Sequence, residues 1–433
     1  MVKLTKYLKP FALSIAAVST STVEITPKEQ YLPCYVSGNP LRDEKTDKVH
    51  DRFEWTVIVL KINNKLMVWG EIDIIEIDFK LADIMRKSIE EKYNVPYDNI
   101  IIGTIHTHTG PETLEENAFG LDEIKVVPGY RKFLLEKFEE AVGNCFDKRF
   151  TEVTPYIRNT VIDGLYGNRN GKGKIEDKNI LEIKFVDKNG NVVAGCFNIA
   201  CHATVNDPLS LEMTTDIIGY IKRKIEKEWG VSPLMMQGAS GDMGNRQYRK
   251  NAGFDEIERL GDAIIAQLKC SGEYKRVSFT DIKVDKYHYL DEFDKSNDVL
   301  NKLKIEITED EAKLEKEENF DQRKLLISGL AFLKMQYNEK HVKNEFDASI
   351  IRLGDLEICQ IPAELFSCFG LQIKAASKAD YSIIWGYTNG MVGYLVKADE
   401  YETCYEGRST NFRQGEPEKI TEKLVELMEK GCN

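Results

Sequence analysis

Three of the six histidines in this 433-residue chain occur in two short motifs, each directly after an apolar run. His106 and His108 follow residues 100–103, and His202 follows residues 197–200. Side chains two residues apart on an extended chain face the same side, so the first two imidazoles can point into one cleft. Imidazole suits Zn²⁺, and a catalytic zinc keeps one position open for water. The spacing therefore indicates a zinc site, although a single histidine after a strand is also compatible with a structural role.

A carboxylate ligand and a backbone loop are the next candidates. Glu364 comes just past another apolar strand, where it could join the metal or, alternatively, occupy the first turn of a helix. Residues 238–246 are rich in small side chains, which let backbone amides approach a substrate or an oxyanion. A plain strand-to-helix turn capped by Asp242 is the alternative. Residues 386–394 are rich in Gly and Tyr and are predicted to form a loop whose tyrosines belong to the core or its rim.

The elements that must position these residues alternate between strands and helices, which is typical of an α/β fold. Predicted strands comprise residues 53–62, 65–75, 99–104, 180–185, 192–200 and 233–237. Predicted helices comprise residues 82–93, 130–146, 215–229, 254–268 and 418–428. We expect one α/β domain over residues 1–433, with a mixed central sheet flanked by helices.

Residues 291–344 differ from their surroundings. They are dense in Lys and Glu and carry apolar residues at helical spacing, whereas a strand-like pattern returns from Ala348. This favours a helical hairpin inserted within the domain, with solvated charged faces. A coiled-coil contact with a partner is the alternative.

Composition restricts the class of protein. Apolar residues make up 42% of the chain and charged residues 30%, which is a globular balance. The net charge is −12, so the chain has no overall attraction for nucleic acid or anionic lipid, and we expect no nucleic-acid partner. We find no apolar run long enough to predict a transmembrane segment.

The cysteines and the N-terminal residues bear on the compartment. Nine cysteines are scattered without a C-x-x-C pair, which favours a reducing compartment and a cytoplasmic location. Residues 1–22 favour a first strand, because their short apolar stretch continues into an alternating pattern that ends at Pro27. A weak secretory leader, and hence a secreted protein, is the alternative. Nothing in the sequence predicts an oligomeric state.

Taken together and in order, these motifs resemble those of the neutral/alkaline (non-lysosomal) ceramidase family. The family signatures T-H-T-H-S-G-P, N-x-x-C-H-P-T, G-D-x-S-P-N, P-G-E and A-N-x-Y-x-x-Y correspond to residues 106–111, 198–204, 241–245, 362–364 and 388–394. Residues 23–27 are similar to the family's opening D-I-T-P. The resemblance extends over nearly the whole chain but includes no C-terminal immunoglobulin-like domain, so we expect the chain to correspond to the catalytic domain.

The resemblance implies roles for nine residues of this sequence. It implies a zinc site whose four ligands are His106, His202, Glu364 and Tyr394. It implies two catalytic candidates beside the metal, His108 and Asp242. It implies three substrate-binding residues, His50, Asn168 and Arg169. Of the catalytic candidates, His108 is the one that we expect to transfer a proton to the leaving nitrogen.

The sequence also departs from the family pattern. Gly244 stands where the family carries a functional serine, Ala203 stands in place of a proline, and Ala363 in place of a glycine. Without a serine at position 244 we do not expect a covalent acyl-enzyme. These changes preserve the predicted zinc chemistry but do not fix ceramide as the substrate.

The predicted function is zinc-dependent hydrolysis of an amide (N-acyl) bond by metal-activated water. The expected substrate is a small-molecule or lipid N-acyl amide. Two alternatives remain: another soluble zinc hydrolase, such as a peptidase or a deacylase of small N-acyl compounds, and a non-catalytic relative that binds a ligand through a retained metal.

Overall fold

The computed structural model describes residues 16–115 and 125–431 of the chain. The strands found there are β1 (Ala16–Glu24), β2 (Cys34–Tyr35), β3 (Lys45–Thr46), β4 (Glu54–Ile62), β5 (Lys65–Ile72), β6 (Ile100–Thr104), β7 (Thr151–Val161), β8 (Gly167–Asn168), β9 (Asn179–Val186), β10 (Val192–Ile199), β11 (Leu234–Gln237), β12 (Met243–Gly244), β13 (Lys275–Arg276), β14 (Phe279–Asp294), β15 (His341–Gly354), β16 (Leu356–Gln360), β17 (Glu364–Leu365), β18 (Tyr381–Trp385) and β19 (Tyr394–Leu395). The helices found there are α1 (Phe79–Tyr93), α2 (Tyr130–Asp147), α3 (Asp216–Trp229), α4 (Phe254–Lys269), α5 (Asn297–Leu314), α6 (Phe320–Asn338), α7 (Ser367–Ala375), α8 (Tyr405–Ser409) and α9 (Glu416–Lys430).

The larger sheet is mixed and has nine strands. Eight of them run in the order β11-β10-β9-β7-β1-β4-β5-β6, and β13 pairs with β7. The β5–β6 and β10–β11 pairs are parallel, and the remaining pairs are antiparallel. Asn63 and Asn64, with φ of 48° and 67°, form the tight turn between β4 and β5, as a two-residue hairpin with right-handed twist requires. The predicted mixed sheet is confirmed.

A second sheet packs against the first. Its four strands run in the order β14-β15-β16-β18. One apolar core draws on both sheets, with Ile58 and Trp69 from the first, and Ile351 and Trp385 from the second. The two tryptophan rings meet edge to face at 6.2 Å. The sequence pattern predicts the strands of one central sheet and does not distinguish this second sheet from it.

Helices cover the outer faces of the two sheets. On β4, Val57 and Val59 pack into the core beneath α1 and α2, while Ile58 and Leu60 point to the core between the sheets, as the two-residue period of a strand requires. Helices α3 and α4 form a further core with β9, β10 and β11. Helices α7 and α9 cover the four-stranded sheet. The predicted flanking helices are therefore confirmed.

Helices α5 and α6 connect the paired long strands β14 and β15. Residues 291–294 and 341–344, predicted to be part of the helical insertion, instead extend these two strands. The reason is visible in β15, where exposed and buried residues alternate along its first half, a strand period hidden in the sequence by the dense charges. The helical hairpin itself occupies residues 297–338.

The N-terminal prediction is tested only in part. Strand β1 begins at Ala16 and pairs with β4 and β7, while residues 1–15 lie outside the described part of the chain. Among the described helices, none combines the length and the apolar character needed to cross a membrane. The eight cysteines that the structure describes are free thiols.

Candidate metal centre

His106 is aimed by a sharp change in the backbone just after β6. Its φ is 59°, in the left-handed region, a conformation that costs a non-glycine residue about 1–2 kcal/mol. Its Nδ1 lies 2.9 Å from the carbonyl oxygen of Ile75. The expected extended chain through His106 is therefore wrong, yet the expected convergence occurs, because the Nε2 atoms of His106 and His108 are 3.0 Å apart. Strain of this kind is typical of functional sites.

His108 is held by the segment that follows β2. Its Nδ1 lies 3.0 Å from the carbonyl oxygen of Gly38. Gly38 has a φ of +85°, and a Cβ atom there would come within 2.6 Å of the His108 Cα atom. Only glycine permits both the left-handed backbone and this close approach.

His202 follows β10 and is fully buried. An isolated parallel bridge between Thr107 and Ala203 joins the two histidine-bearing segments. The His202 Nδ1 atom lies 2.6 Å from the carbonyl oxygen of Ser240, and the His202 backbone N–H donates to Met243. The small-residue loop after β11 therefore sets the orientation of this imidazole.

Glu364 brings its carboxylate to the same point. Its Oε2 atom lies 3.4 Å from the Nε2 of His106 and 3.1 Å from the Nε2 of His202. It belongs to β17, which pairs in parallel with β19 and sets Glu364 opposite Tyr394. The alternative of a first-turn helix glutamate is wrong, since α7 begins only at Ser367. We call His106, His202 and Glu364 the metal-ligand group.

Protonation in this buried group suits cation binding. Burial, and then the neighbouring charges, lower the pKa of His202 to about 4. Burial followed by His106 and His202 holds the pKa of His108 well below its usual value. Although burial opposes ionisation of Glu364, His106 and His202 keep its pKa well below its usual value. His202 and His108 are therefore neutral and Glu364 is ionised at pH 7. A neutral imidazole and a carboxylate are the forms that ligate metals.

The donor atoms fit a divalent cation. A carbonyl oxygen only accepts hydrogen bonds, so the Nδ1 atoms of all three histidines carry the proton, and each Nε2 offers a lone pair. The Nε2 of His202 is buried without a hydrogen-bond partner. The candidate ligand atoms of His106, His108 and His202 all lie within 4.8 Å of one another. Two donor atoms on a tetrahedral Zn²⁺ are about 3.3 Å apart, close to the 3.4 and 3.1 Å between Glu364 Oε2 and the Nε2 atoms of His106 and His202.

A cavity of about 360 Å³ opens onto this centre. His106, His108 and Glu364 are among its lining residues. Helix α6 lines it with four residues one turn apart, which we call the α6 face: Leu325, Ser328, Phe332 and Met335. The volume falls in the range of small-molecule sites.

Arg169 and Tyr394, predicted from the family resemblance, both line this cavity. The Nη2 of Arg169 donates to the Tyr394 hydroxyl at 3.2 Å and to the carbonyl of Gly241 at 2.8 Å. Its Nε donates to Glu406 at 2.6 Å, a buried ion pair. Glu406 therefore fixes the guanidinium beside the metal-ligand group.

Asp242 and Asn168 lie behind the cavity and are not among its lining residues. The Asp242 carboxylate accepts hydrogen bonds from the backbone and side chain of Ser367, at 2.7 and 2.9 Å. It also accepts one from the Asn168 amide at 2.7 Å. These contacts tie the loop after β11 to the start of α7. Asp242 therefore binds the first residue of α7. This resembles the capping role that was the alternative prediction, but α7 is distant from Asp242 in the sequence.

His50 lies outside the cavity lining. Its ring stacks on Phe254 with centroids 3.8 Å apart, and its Nδ1 lies 2.9 Å from Asp51. Sequence reasoning also missed cavity residues, among them Tyr405 and Arg246. No motif marked Tyr405, and Arg246 only ends the segment 238–246, which was singled out for its small residues. The places of both depend on how distant loops meet around the cavity.

Comparison with known structures identifies the class of fold. No family model and no curated protein sequence matches the chain. Solved structures with the ceramidase fold do match it, over 96% of its length.

Two of these structures are ceramidases. The crystal structure of neutral ceramidase from Pseudomonas aeruginosa has a TM-score of 0.74 and 15% identity, with 74% of its chain covered. A ceramidase complexed with C2 has a TM-score of 0.72 and 16% identity, with 75% of its chain covered. The chain therefore has the ceramidase fold, as the sequence motifs predicted.

Proposed function

We propose that this protein is a zinc-dependent hydrolase of amide bonds in N-acyl compounds. The observation that carries the proposal is that His106 Nε2 and His202 Nε2 lie 3.4 and 3.1 Å from Glu364 Oε2, at a cavity in a ceramidase fold. Two imidazoles and a carboxylate are the donor set of many catalytic zinc sites.

The residues that would hold the metal are His106, His202 and Glu364, with Tyr394 as the fourth ligand implied by the family resemblance. The carbonyl oxygens of Ile75 and Ser240 fix the two imidazoles in the tautomer that leaves Nε2 free. A bound Zn²⁺ supplies Lewis acidity and a water whose pKa falls to about 7.

His108 is the proposed proton carrier. It is neutral, and Gly38 holds its Nδ1 proton in place. Its Nε2 can accept a proton from the attacking water and deliver it to the departing nitrogen. Because Nε2 lies 3.0 Å from the Nε2 of His106, it stands directly beside the metal-ligand group.

Arg169 is proposed to stabilise the negative charge that develops on the substrate's carbonyl oxygen. Its guanidinium is held in advance by Glu406 and reaches the Tyr394 hydroxyl. A preorganised charge of this kind needs no rearrangement during the reaction. Asp242 is proposed to act indirectly. Its hydrogen bonds hold the loop that orients His202, which makes it a positioning residue.

The α6 face supports an acyl group as part of the substrate. Three of its four residues are apolar, and it contributes to the same cavity as His106 and Glu364. Burial of an alkyl chain there would contribute about 0.8 kcal/mol per methylene. The cytoplasmic location stays a prediction.

The test is hydrolysis of a matched panel by the purified protein, with its zinc content measured. The panel contains an N-decanoyl amide, an N-acetyl amide, decanoyl ethyl ester and an unmodified dipeptide. We expect cleavage of N-acyl amides that a chelator abolishes and added Zn²⁺ restores. Stoichiometric zinc without turnover of any amide would contradict the proposal and favour a binding relative. Cleavage of the dipeptide alone would favour a peptidase.

A further inference from the structure

Four arginines line the cavity, in a chain whose net charge is −12: Arg42, Arg169, Arg246 and Arg249. Two of them are committed to the protein itself. Arg42 is buried and donates to the carbonyl oxygens of Ser37, His108 and Pro208, at 2.6 to 2.8 Å. Arg169 is buried and paired with Glu406.

Arg246 and Arg249 differ from these two. The Nη1 of Arg249 donates to the Thr204 carbonyl at 3.0 Å, and the side chain forms no ion pair with any residue that the structure describes. Arg246 is exposed, and in the described part of the chain no carboxylate lies within ion-pair distance of it. Both guanidinium groups therefore face the cavity with donors to spare.

Three of the arginines form one electropositive region, which we call the arginine cluster: Arg169, Arg246 and Arg249. Partial desolvation, and then the positive charges of Arg169 and Arg249, lower the pKa of Arg246, although Glu406 opposes them. Repulsion of this kind is relieved when an anion binds. The cluster also adjoins the metal-ligand group, since Arg169 donates to the hydroxyl of Tyr394, the residue opposite Glu364 in the β17–β19 pair.

The backbone that carries Arg246 is anchored. The preceding Asn245 donates from its amide to the Leu165 carbonyl at 2.8 Å and accepts from the Cys201 thiol at 3.2 Å. The backbone N–H of Arg249 donates to the Asn245 carbonyl at 2.8 Å. The backbone positions of both arginines are therefore fixed, so an anion has to order only their side chains when it binds.

The acidic residues of the cavity do not cancel this charge. Glu112 accepts hydrogen bonds from the backbone N–H groups of Thr113 and Leu114, and forms no ion pair with the cluster. Burial, and then nearby carboxylates, raise the pKa of Glu76 to about 8, so most of it is uncharged at pH 7. Glu364 belongs to the metal-ligand group.

We propose that the substrate carries an anionic group on its head, a carboxylate, sulfonate or phosphate, bound by Arg246 together with Arg249, while its acyl chain lies on the α6 face. Arg246 is then the residue that determines specificity, and neutral-headed N-acyl amides are poor substrates. Guanidinium groups bind such oxyanions through paired hydrogen bonds. The inference rests on the proposed function where it names the bond that is cleaved. Recognition of the anion does not depend on the proposed function.

Binding tests the inference without hydrolysis. Calorimetry on the wild-type chain and on His106→Ala would compare N-decanoylglycine, N-decanoyltaurine and N-decanoylethanolamine phosphate with neutral N-decanoylethanolamine. We expect at least one anionic compound to bind about 10- to 100-fold more tightly than the neutral one, as hydrogen bonds to charged groups allow. Which of the three binds best identifies the source of the anion.

Variants at Arg246 provide the control. Arg246→Gln is expected to remove the preference, Arg246→Lys to keep part of it, and Arg149→Gln, at an exposed position outside the cavity lining, to leave it intact. In turnover, Arg246→Gln should raise KM for the anionic substrate with little change in kcat.

The outcomes separate this inference from the proposed function. Equal binding of neutral and anionic compounds by the wild type, or an unchanged preference in Arg246→Gln, would overturn the inference even if amides are hydrolysed. An anion preference that depends on Arg246 would support it even if no amide is cleaved, in which case the proposed function fails alone.

Discussion

The metal-ligand group and the arginine cluster share one cavity but are built differently. In the first, Ile75 and Ser240 bind the Nδ1 atoms of the two imidazoles, so only the convergent donors remain free. In the second, Arg246 is exposed and has no carboxylate partner among the described residues. The first is therefore a closed, preorganised centre suited to one cation, whereas the second keeps free hydrogen-bond donors for a ligand from outside.

The largest expected effect comes from removing an imidazole of the metal-ligand group. His106→Ala and His202→Ala should each lose bound zinc and lower kcat/KM by about 1,000-fold or more, because no other group supplies the activated water. Zinc analysis and turnover of an N-acyl amide measure this. His288→Ala, an exposed histidine on β14 paired with Asp347, is the matched control and should keep its zinc. Full zinc content in both cavity variants would refute the assignment.

A smaller effect is expected when His108 is displaced and the metal is left in place. Gly38→Ala would push a Cβ against the His108 backbone, and should lower kcat by about 100-fold, the low end for loss of a general acid–base group. Gly190→Ala is the control, since its φ of +88° is similar but no atom lies within 4 Å of the added Cβ.

Both glycine variants should lose thermal stability, because both place alanine in the left-handed region. Gly38→Ala should lose more, because its Cβ also clashes with His108. Only Gly38→Ala should lose activity, with zinc retained. Equal activity losses in the two variants would mean that backbone strain, and not the position of His108, explains the effect.

The smallest effect is expected on the α6 face. Leu325→Asn should raise KM for an N-decanoyl amide by about tenfold, the loss expected when one or two methylenes become exposed. It should leave the N-acetyl amide unaffected. Ile305→Asn, at an exposed position of α5 outside the cavity lining, is the control within the same hairpin. An equal change in KM for the acetyl and decanoyl amides would indicate that this face does not hold the acyl chain.

The metal-ligand group could largely be predicted from the sequence, whereas most of the arginine cluster could not. His106, His108 and His202 follow apolar strands in compact motifs, so their convergence could be predicted from spacing and the positions of strand ends. Glu364 could be proposed because it follows a third apolar strand, whereas Tyr394 was named only from the family resemblance. The mixed sheet and most helices were recognisable because their apolar periods are strong.

Of the arginine cluster, the family resemblance implied only Arg169, and Arg246 and Arg249 left no signal as charged cavity residues. Arg246 becomes a cavity residue only because the loop after β12 meets Arg169, which lies far away in the sequence. His50, predicted to bind substrate in the pocket, lies outside the cavity lining, and its ring stacks on Phe254. Asn168 and Asp242 resemble site residues in sequence, but their contacts bind each other and Ser367. Such tertiary contacts have no period or spacing that a sequence pattern can reveal.

The most direct test of the central claim is anomalous diffraction from zinc-loaded crystals, collected on both sides of the zinc absorption edge. We expect one peak per chain, about 2.0–2.2 Å from His106 Nε2, His202 Nε2 and a Glu364 carboxylate oxygen. A fully occupied zinc at other residues, or zinc-loaded crystals with no peak between these three side chains, would contradict it.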